Sequence, residues 1–382
     1  MITEFSIAGY KSLRDISLRT ARLNVLVGGN ACGKSSVLQT LLLLRQSPKD
    51  SNCVSKMELS GSLFEAGTVQ DVLHPDARKS GMKLTISADN GSGSAHFAPE
   101  FSGVNTRQLK ASAPFQLVPP LADEGEENFA YLSAERIGPK VTYGLPRGAS
   151  LAGPVGMQGE FTTAFLARCQ RSDRATHEGW YDLLKRTSEF MPEDLVLDEA
   201  SKSNYTRLDL TAKQILAWMI PGVDFLAFED DATDSAKLSY IRDPGGTKTP
   251  VRPTHMGFGV TYALPVIAAS LAIPSSGLLL IENPEAHLHP SSQSRMGTFL
   301  ALAARQGAQI FTETHSDHVV NGVRLAVKGK LVAPEDVKFF FFKKSPRDES
   351  TLVTELSVTP EGSVTSWPEG FFDQIERDLA RL

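Results

Sequence analysis

Two kinds of apolar pattern alternate along this chain. Residues 23–27 (LNVLV) and 278–281 (LLLI) are short continuous apolar runs, and 308–315 (AQIFTETH) is an apolar run that ends in His315. Runs that are apolar on both faces and bounded by breakers predict strands buried inside a sheet. Residues 37–45 (VLQTLLLLR), 262–273 and 291–306 are helical in composition and too long for such strands, so they predict helices. A strand, loop and helix near one end, with a helix, strand, helix and strand near the other, predict an α/β fold.

Between these ends the pattern changes. Residues 54–101 set short apolar runs (LFEAGTVQDVL, MKLTISA, SAHFAPEF) among Gly, Asn, Asp and Ser, which predicts antiparallel hairpins. Residues 102–128 read as a polar loop closing on an acidic cluster (ADEGEEN), and 129–139 (FAYLSAERIGP) as a strand running into a charged turn. There Glu135 and Arg136 fit a surface ion pair as well as a functional one. Helical spacing returns at 160–171, 179–190 and 211–220, broken by Pro and Gly, and predicts a helical lobe. Residues 224–242 read as one more hairpin before the breaker-rich DPGGTKTPVRPTH, and the stretch after His315 as strands and a terminal helix. No heptad pattern is sustained, which argues against a long coiled-coil arm.

Composition narrows the class. With 382 residues, 41% apolar and 22% charged, the chain has material for one large core or several ordinary ones. Lys and Arg number 39 against 44 Asp and Glu, a net charge of -5, so no global basic excess marks a nucleic-acid binder. Nucleic acid then depends on a local patch, for which Arg168, Arg171, Arg174, Lys185 and Arg186 are the candidates against a plainly solvated helix face. Cys32, Cys53 and Cys169 are too few and scattered for a disulfide framework. The N-terminal MITEFSIAGYKSL lacks the marks of a signal peptide, and the longest apolar stretch, 260–273, falls short of a membrane span. A cytoplasmic protein with no membrane partner is expected.

The strand at 23–27 breaks into Gly28, Gly29, Asn30, Ala31, Cys32, Gly33, Lys34, Ser35 and Ser36 before the helix begins, completing the spacing G-x-x-x-x-G-K-S. Each member has a physical task in binding the phosphates of a nucleotide. Gly28 and Gly33 let backbone N–H groups turn toward phosphates, Lys34 neutralises the β and γ phosphates, and Ser35 offers a hydroxyl to Mg2+. The helix adds its positive N-terminal end. Ahead of this loop, Lys11 closes a first strand in a basic turn, where it either faces the nucleotide or is a solvated charge. Gln70 is a looser candidate for sensing the γ phosphate or the metal.

Three further segments follow in a telling order. His255 to Thr261 (HMGFGVT) is a glycine-containing turn opening an apolar helix; LLLIENPEAHLHP is a strand ending in Glu282, Asn283 and Glu285; and the next strand ends in His315. In this order the chain resembles the ATP-binding-cassette heads of the RecF, SMC and OLD type. With YLSAERIGP, ENPEAHLHP and the C-terminal WPEGFFDQ, it resembles a prokaryotic subgroup of these ATPases. The resemblance implies a P-loop NTPase of ABC-ATPase head type, a mixed sheet with antiparallel β hairpins and an inserted helical lobe. It implies one half of the head at 1–140, the lobe at 141–225, and the second half at 226–382.

The resemblance also implies roles. Gly257, Gly259 and Thr261 stand for the signature that reaches the ATP of a partner subunit, so a homodimer is expected. Glu282 is the Walker B carboxylate holding Mg2+, residues 285–289 are the D-loop, and His315 is the switch histidine. SMC arms are not expected, and the 67 residues after His315 are expected to leave no room for the TOPRIM nuclease domain of OLD proteins. A motor or sensor serving a separate, nuclease-like effector is expected, in nucleic-acid processing or anti-phage defence.

Asn283 stands where many such ATPases place a second carboxylate. An amide orients water but accepts no proton, which fits either a slow ATPase or an ATP-gated clamp with little turnover. If the chain stays extended past Glu282, residues 283 and 285 project to one side, and Glu285 becomes the alternative to Asn283 at the attacking water. A rival reading takes His287, His289, His315, Asp317 and His318 as ligands of a metal-dependent hydrolase.

Overall fold

The computed structural model describes residues 1–99, 106–122, 127–176, 180, 207–242, 249–366, 368, 370, 372 and 381. The expected helix at 179–190, apart from Trp180, lies outside the described residues. So do Lys185, Arg186, most of the WPEGFFDQ tail and the terminal helix. The chain divides into two compact units, the first of Met1–Glu124, Phe311–Asp317 and Pro334–Leu382, the second of Gly125–Ile310 and His318–Ala333.

The first unit opens with β1 (Ile2–Tyr10), β2 (Leu13–Arg19) and β3 (Leu23–Gly28), followed by α1 (Lys34–Gln46), β4 (Cys53–Glu58), β5 (Met82–Ala88), β6 (Gly91–Ala98) and β7 (Gln108–Gln116). Six of the strands form an antiparallel sheet in the order β2-β1-β5-β6-β7-β4. The expected hairpins are therefore present, with two differences. LFEAGTVQDVL is not a strand: Thr68 and Asp71 form a reciprocal capping box over a helical turn at Val69–Val72. The expected polar loop contains β7, whose buried Leu109 and Phe115 suffice because its other face meets water.

The second unit follows in chain order with β8 (Phe129–Leu132), β9 (Thr142–Gly144), α2 (Thr162–Arg171), α3 (Leu208–Met219), β10 (Val223–Asp230), β11 (Ser235–Arg242) and β12 (Thr249–Val251). Then come α4 (Phe258–Ala272), β13 (Leu278–Glu282), α5 (Pro290–Arg305), β14 (Gln309–Glu313), which has residues in both units, and α6 (Asp317–Lys328). β13 runs parallel to β8, Leu278 opposite Phe129, and β10 and β11 pair over their full length as the expected hairpin. The helix α6 precedes the strands expected in the stretch after His315. It is strongly amphipathic, with Val319, Val320, Val323, Ala326 and Val327 buried at helical spacing.

The chain returns to the first unit with β15 (Val337–Lys344) and β16 (Thr351–Ser357). β3 is buried on both faces because it is central, pairing in parallel with β15, Leu23 opposite Val337. β15 in turn pairs antiparallel with β16, so this sheet is mixed. On the other flank of β3, Thr314 N donates to Leu26 O at 3.1 Å. Among the described residues no helix is long and apolar enough to cross a membrane.

Candidate nucleotide site

The glycine-rich loop is set by what surrounds it. Gly28 has φ 140°, and a Cβ there would stand 2.1 Å from the carbonyl oxygen of Phe342 on β15. Gly33 has φ 93°, and its Cβ would meet Thr351 Oγ1 at 2.5 Å. Only glycine combines that backbone with so close an approach. Thr351 secures the loop by donating to Cys32 O at 3.0 Å, while its N–H donates to Ser12 O at 2.8 Å. Asn30 and Ala31 form the exposed tip, Ala31 in the left-handed region at φ 57°. Cys32 and Ser36 are buried and Ser35 is half-buried at the first turn of α1. That helix is buried nearly all round, with Lys34, Ser36, Thr40 and Arg45 buried beside its apolar residues.

Lys34 is 3% exposed. Its Nζ donates to Gly28 O at 3.1 Å and Gly29 O at 2.7 Å, and lies 3.6 Å from Glu313 Oε1. The same Glu313 oxygen is 3.8 Å from Nε2 of His315, which is exposed just beyond β14. Sequence reasoning missed Glu313, which lies inside the apolar run AQIFTETH and carried no motif of its own. Lys11 is not a solvated charge: its Nζ donates to Gln39 Oε1 on α1 at 2.8 Å and lies over the ring of Phe64. Burial pushes its ammonium below the ordinary value, with Asp71 opposing. Gln70 is exposed on the capped turn beside Asp71.

In the second unit, Glu282 ends β13 with its carboxylate held at both oxygens: Tyr131 OH donates to Oε1 at 3.1 Å and Ala134 N to Oε2 at 3.3 Å. The chain does not stay extended after it. Asn283 has φ 46°, and Ala286 N donates back to Asn283 O at 3.1 Å, so residues 283–286 form a turn. The same-side geometry that made Glu285 an alternative to Asn283 therefore does not exist. The turn is pinned by Arg136, 3% exposed, which donates to Glu282 O and, at 3.0 Å, to Asn283 O. Arg136 is thus no surface partner of Glu135. Burial pushes its guanidinium down to about 10, opposed chiefly by the charge of Glu285.

The glycine turn starts α4 earlier than expected, with Gly257 as N-cap. Gly257 is exposed and opens on free space, and Phe258 is exposed beside it. A Cβ on Gly259 would meet His287 O at 2.6 Å. Thr261 departs from expectation: it is buried, with its hydroxyl 3.3 Å from Tyr240 OH, because the helix turns that position into the core. His287 packs edge-on against Tyr262 at 4.8 Å, and His289 caps α5 by accepting from Ser291 N. Among the described residues no group of three or more His, Cys, Asp or Glu could hold a metal, so the histidine-cluster hydrolase has no site. Nor is the arginine cluster free. Arg168 and Arg171 both pair with Glu229 on β10, and Arg174 lies 3.8 Å from Glu127.

Three family descriptions match parts of the chain: "AAA ATPase domain" at 1–90, "AAA domain, putative AbiEii toxin, Type IV TA system" at 170–321, and "Protein of unknown function (DUF3696)" at 332–382. No curated protein matches the chain. Among solved structures, an Smc head bound to the C-winged helix domain of ScpA is 13% identical with a TM-score of 0.51, over 93% of this chain and 98% of that one. An Smc head with a coiled coil and joint from Pyrococcus yayanosii is 12% identical, also at 0.51, over 99% of each chain. The fold is that of an SMC or ABC ATPase head, an α/β P-loop NTPase with mixed sheets, and AAA-type ATPase domains are what its sequence matches.

Proposed function

We propose that this chain is a slow ATPase that binds ATP at residues 28–36, dimerises around it, and acts as motor or sensor for a separate effector. The reading rests above all on the phosphate cradle of Gly28, Gly33 and Lys34, whose backbone shape excludes side chains at both glycines. Lys34 reaches the β and γ phosphates, the helix N-terminus adds positive potential, and Ser35 supplies a hydroxyl. Mg2+ suits the Ser35 hydroxyl, a hard oxygen ligand, and phosphates supply more such oxygens; the Glu282 carboxylate is likewise a hard ligand. Hydrogen bonds from Tyr131 and Ala134 orient Glu282 as a metal ligand requires. When bound, the ion neutralises charge on the phosphates.

His315 is assigned to the γ phosphate, and the exposed Gly257 with Gly259 to the ATP of a second copy. The Smc head solved with a ScpA domain bound supports a protein partner in trans; nucleic-acid processing or anti-phage defence is the setting proposed. Asn283 favours one second reading, an ATP-gated clamp with little turnover, because an amide accepts no proton. Phosphate release by wild-type protein beside Lys34→Ala, with and without DNA or RNA, separates the two. Release above the Lys34→Ala level supports the ATPase, and equal release leaves the clamp.

A further inference from the structure

If the chain hydrolyses ATP, some group must take the proton of the attacking water, and the residues expected there are Asn283 and Glu285. Asn283 is an amide on a left-handed turn. Glu285 stands in that same turn, beside the buried guanidinium of Arg136.

Glu313 is differently placed. Its side chain is 8% exposed, Oε1 faces both Lys34 and His315, and Oε2 receives no hydrogen bond from the described residues. A buried carboxylate oxygen without a donor is costly, so it takes a donor where one can be found. Water is the donor small enough, and a water on Oε2 lies within one hydrogen bond of a carboxylate that itself stands beside Lys34. Lys34 is the group that the γ phosphate engages.

We propose that Glu313 is the catalytic carboxylate of this ATPase, accepting the proton of the attacking water; the proposal rests on the function given above. The water oxygen bonds to the γ phosphorus as the bond from that phosphorus to the β–γ bridging oxygen breaks. The electron pair leaves on ADP, one water proton passes to Glu313, and that proton returns to solvent as phosphate departs. Without nucleotide the same carboxylate faces Lys34, so phosphates compete with it for the ammonium. Loss of its charge therefore aids ATP binding while it stops hydrolysis, a combination that a merely structural residue does not give.

The test compares wild type, Glu313→Gln and Glu313→Asp in single-turnover hydrolysis of ATP with Mg2+, together with ATP affinity and the identity of the bound nucleotide. Glu313→Gln is expected to bind ATP at least as tightly as wild type and to hydrolyse it at least about 100-fold more slowly. The nucleotide recovered from it is then ATP. Glu313→Asp keeps a carboxylate and is expected to fall between the two. Glu313→Gln turnover within about threefold of wild type, or a variant that no longer binds ATP, overturns the proposal. So does a Glu285→Gln variant that stops hydrolysis while Glu313→Gln sustains it. Wild-type protein that binds no ATP overturns instead the function on which the proposal rests.

Discussion

Arg136 donates to the carbonyl oxygens of both Glu282 and Asn283, the second at 3.0 Å, and so fixes the peptide at which the strand β13 becomes a turn. Its own carbonyl accepts from Tyr262 OH on α4 at 2.9 Å. One buried cation thus ties the turn after Glu282 to the helix that begins at the glycine pair. Arg136→Ala removes the side-chain donor to Glu282 O and to Asn283 O and is expected to cost roughly 1–3 kcal/mol. Arg136→Lys, with a point charge in place of a planar fork, should recover only part of that. Denaturant unfolding of the two variants measures it; equal stability of wild type and Arg136→Ala would contradict the pinning role.

The turn that delivers Thr351 to the glycine loop depends on pH. Hydrogen bonds from Ser350 and Ser345, with a lesser contribution from Arg14, hold the Asp348 carboxyl down at about 2, against an ordinary 3.8. A carboxyl whose folded value is depressed binds protons less readily in the folded chain. Its stabilisation is therefore complete above 3.8 and is lost as pH falls through about 2. Asp348→Asn should melt below wild type at neutral pH, the gap closing between pH 3.8 and 2. Thermal melts across that range check this, and a gap independent of pH would refute it.

Association should follow nucleotide. With ATP and Mg2+, light scattering is expected to give twice the 41.4 kDa of one chain, whereas Lys34→Ala should show no ATP-induced change. A wild-type mass that stays at one chain with ATP would remove the second copy from the site.

The glycine loop was legible because each of its residues has a separate backbone or charge requirement, and strand, loop and helix surround it in the order the spacing demands. Most of the hairpins were legible from short apolar runs between breakers, and the helix α4 from the length of its apolar run. Other features depend on distant partners. β7 has only Leu109 and Phe115 as apolar anchors, and its strand form comes from pairing with β4 and β6. Asn283 enters the left-handed region because residues 283–286 close a turn under Arg136, which no local pattern announces. Thr261 looked like a hydroxyl on a phosphate-facing turn, yet α4 begins at Phe258 and carries it inward to Tyr240. Glu313 read as one polar position in an apolar strand, and its meaning comes only from Lys34, which lies far from it in sequence.

Phosphate release from ATP with Mg2+, by wild-type protein and by Lys34→Ala purified in parallel, tests the central claim most directly. A slow wild-type release that exceeds the Lys34→Ala background, with or without added DNA or RNA, is the predicted result. Wild-type release indistinguishable from Lys34→Ala under all of these conditions would contradict it.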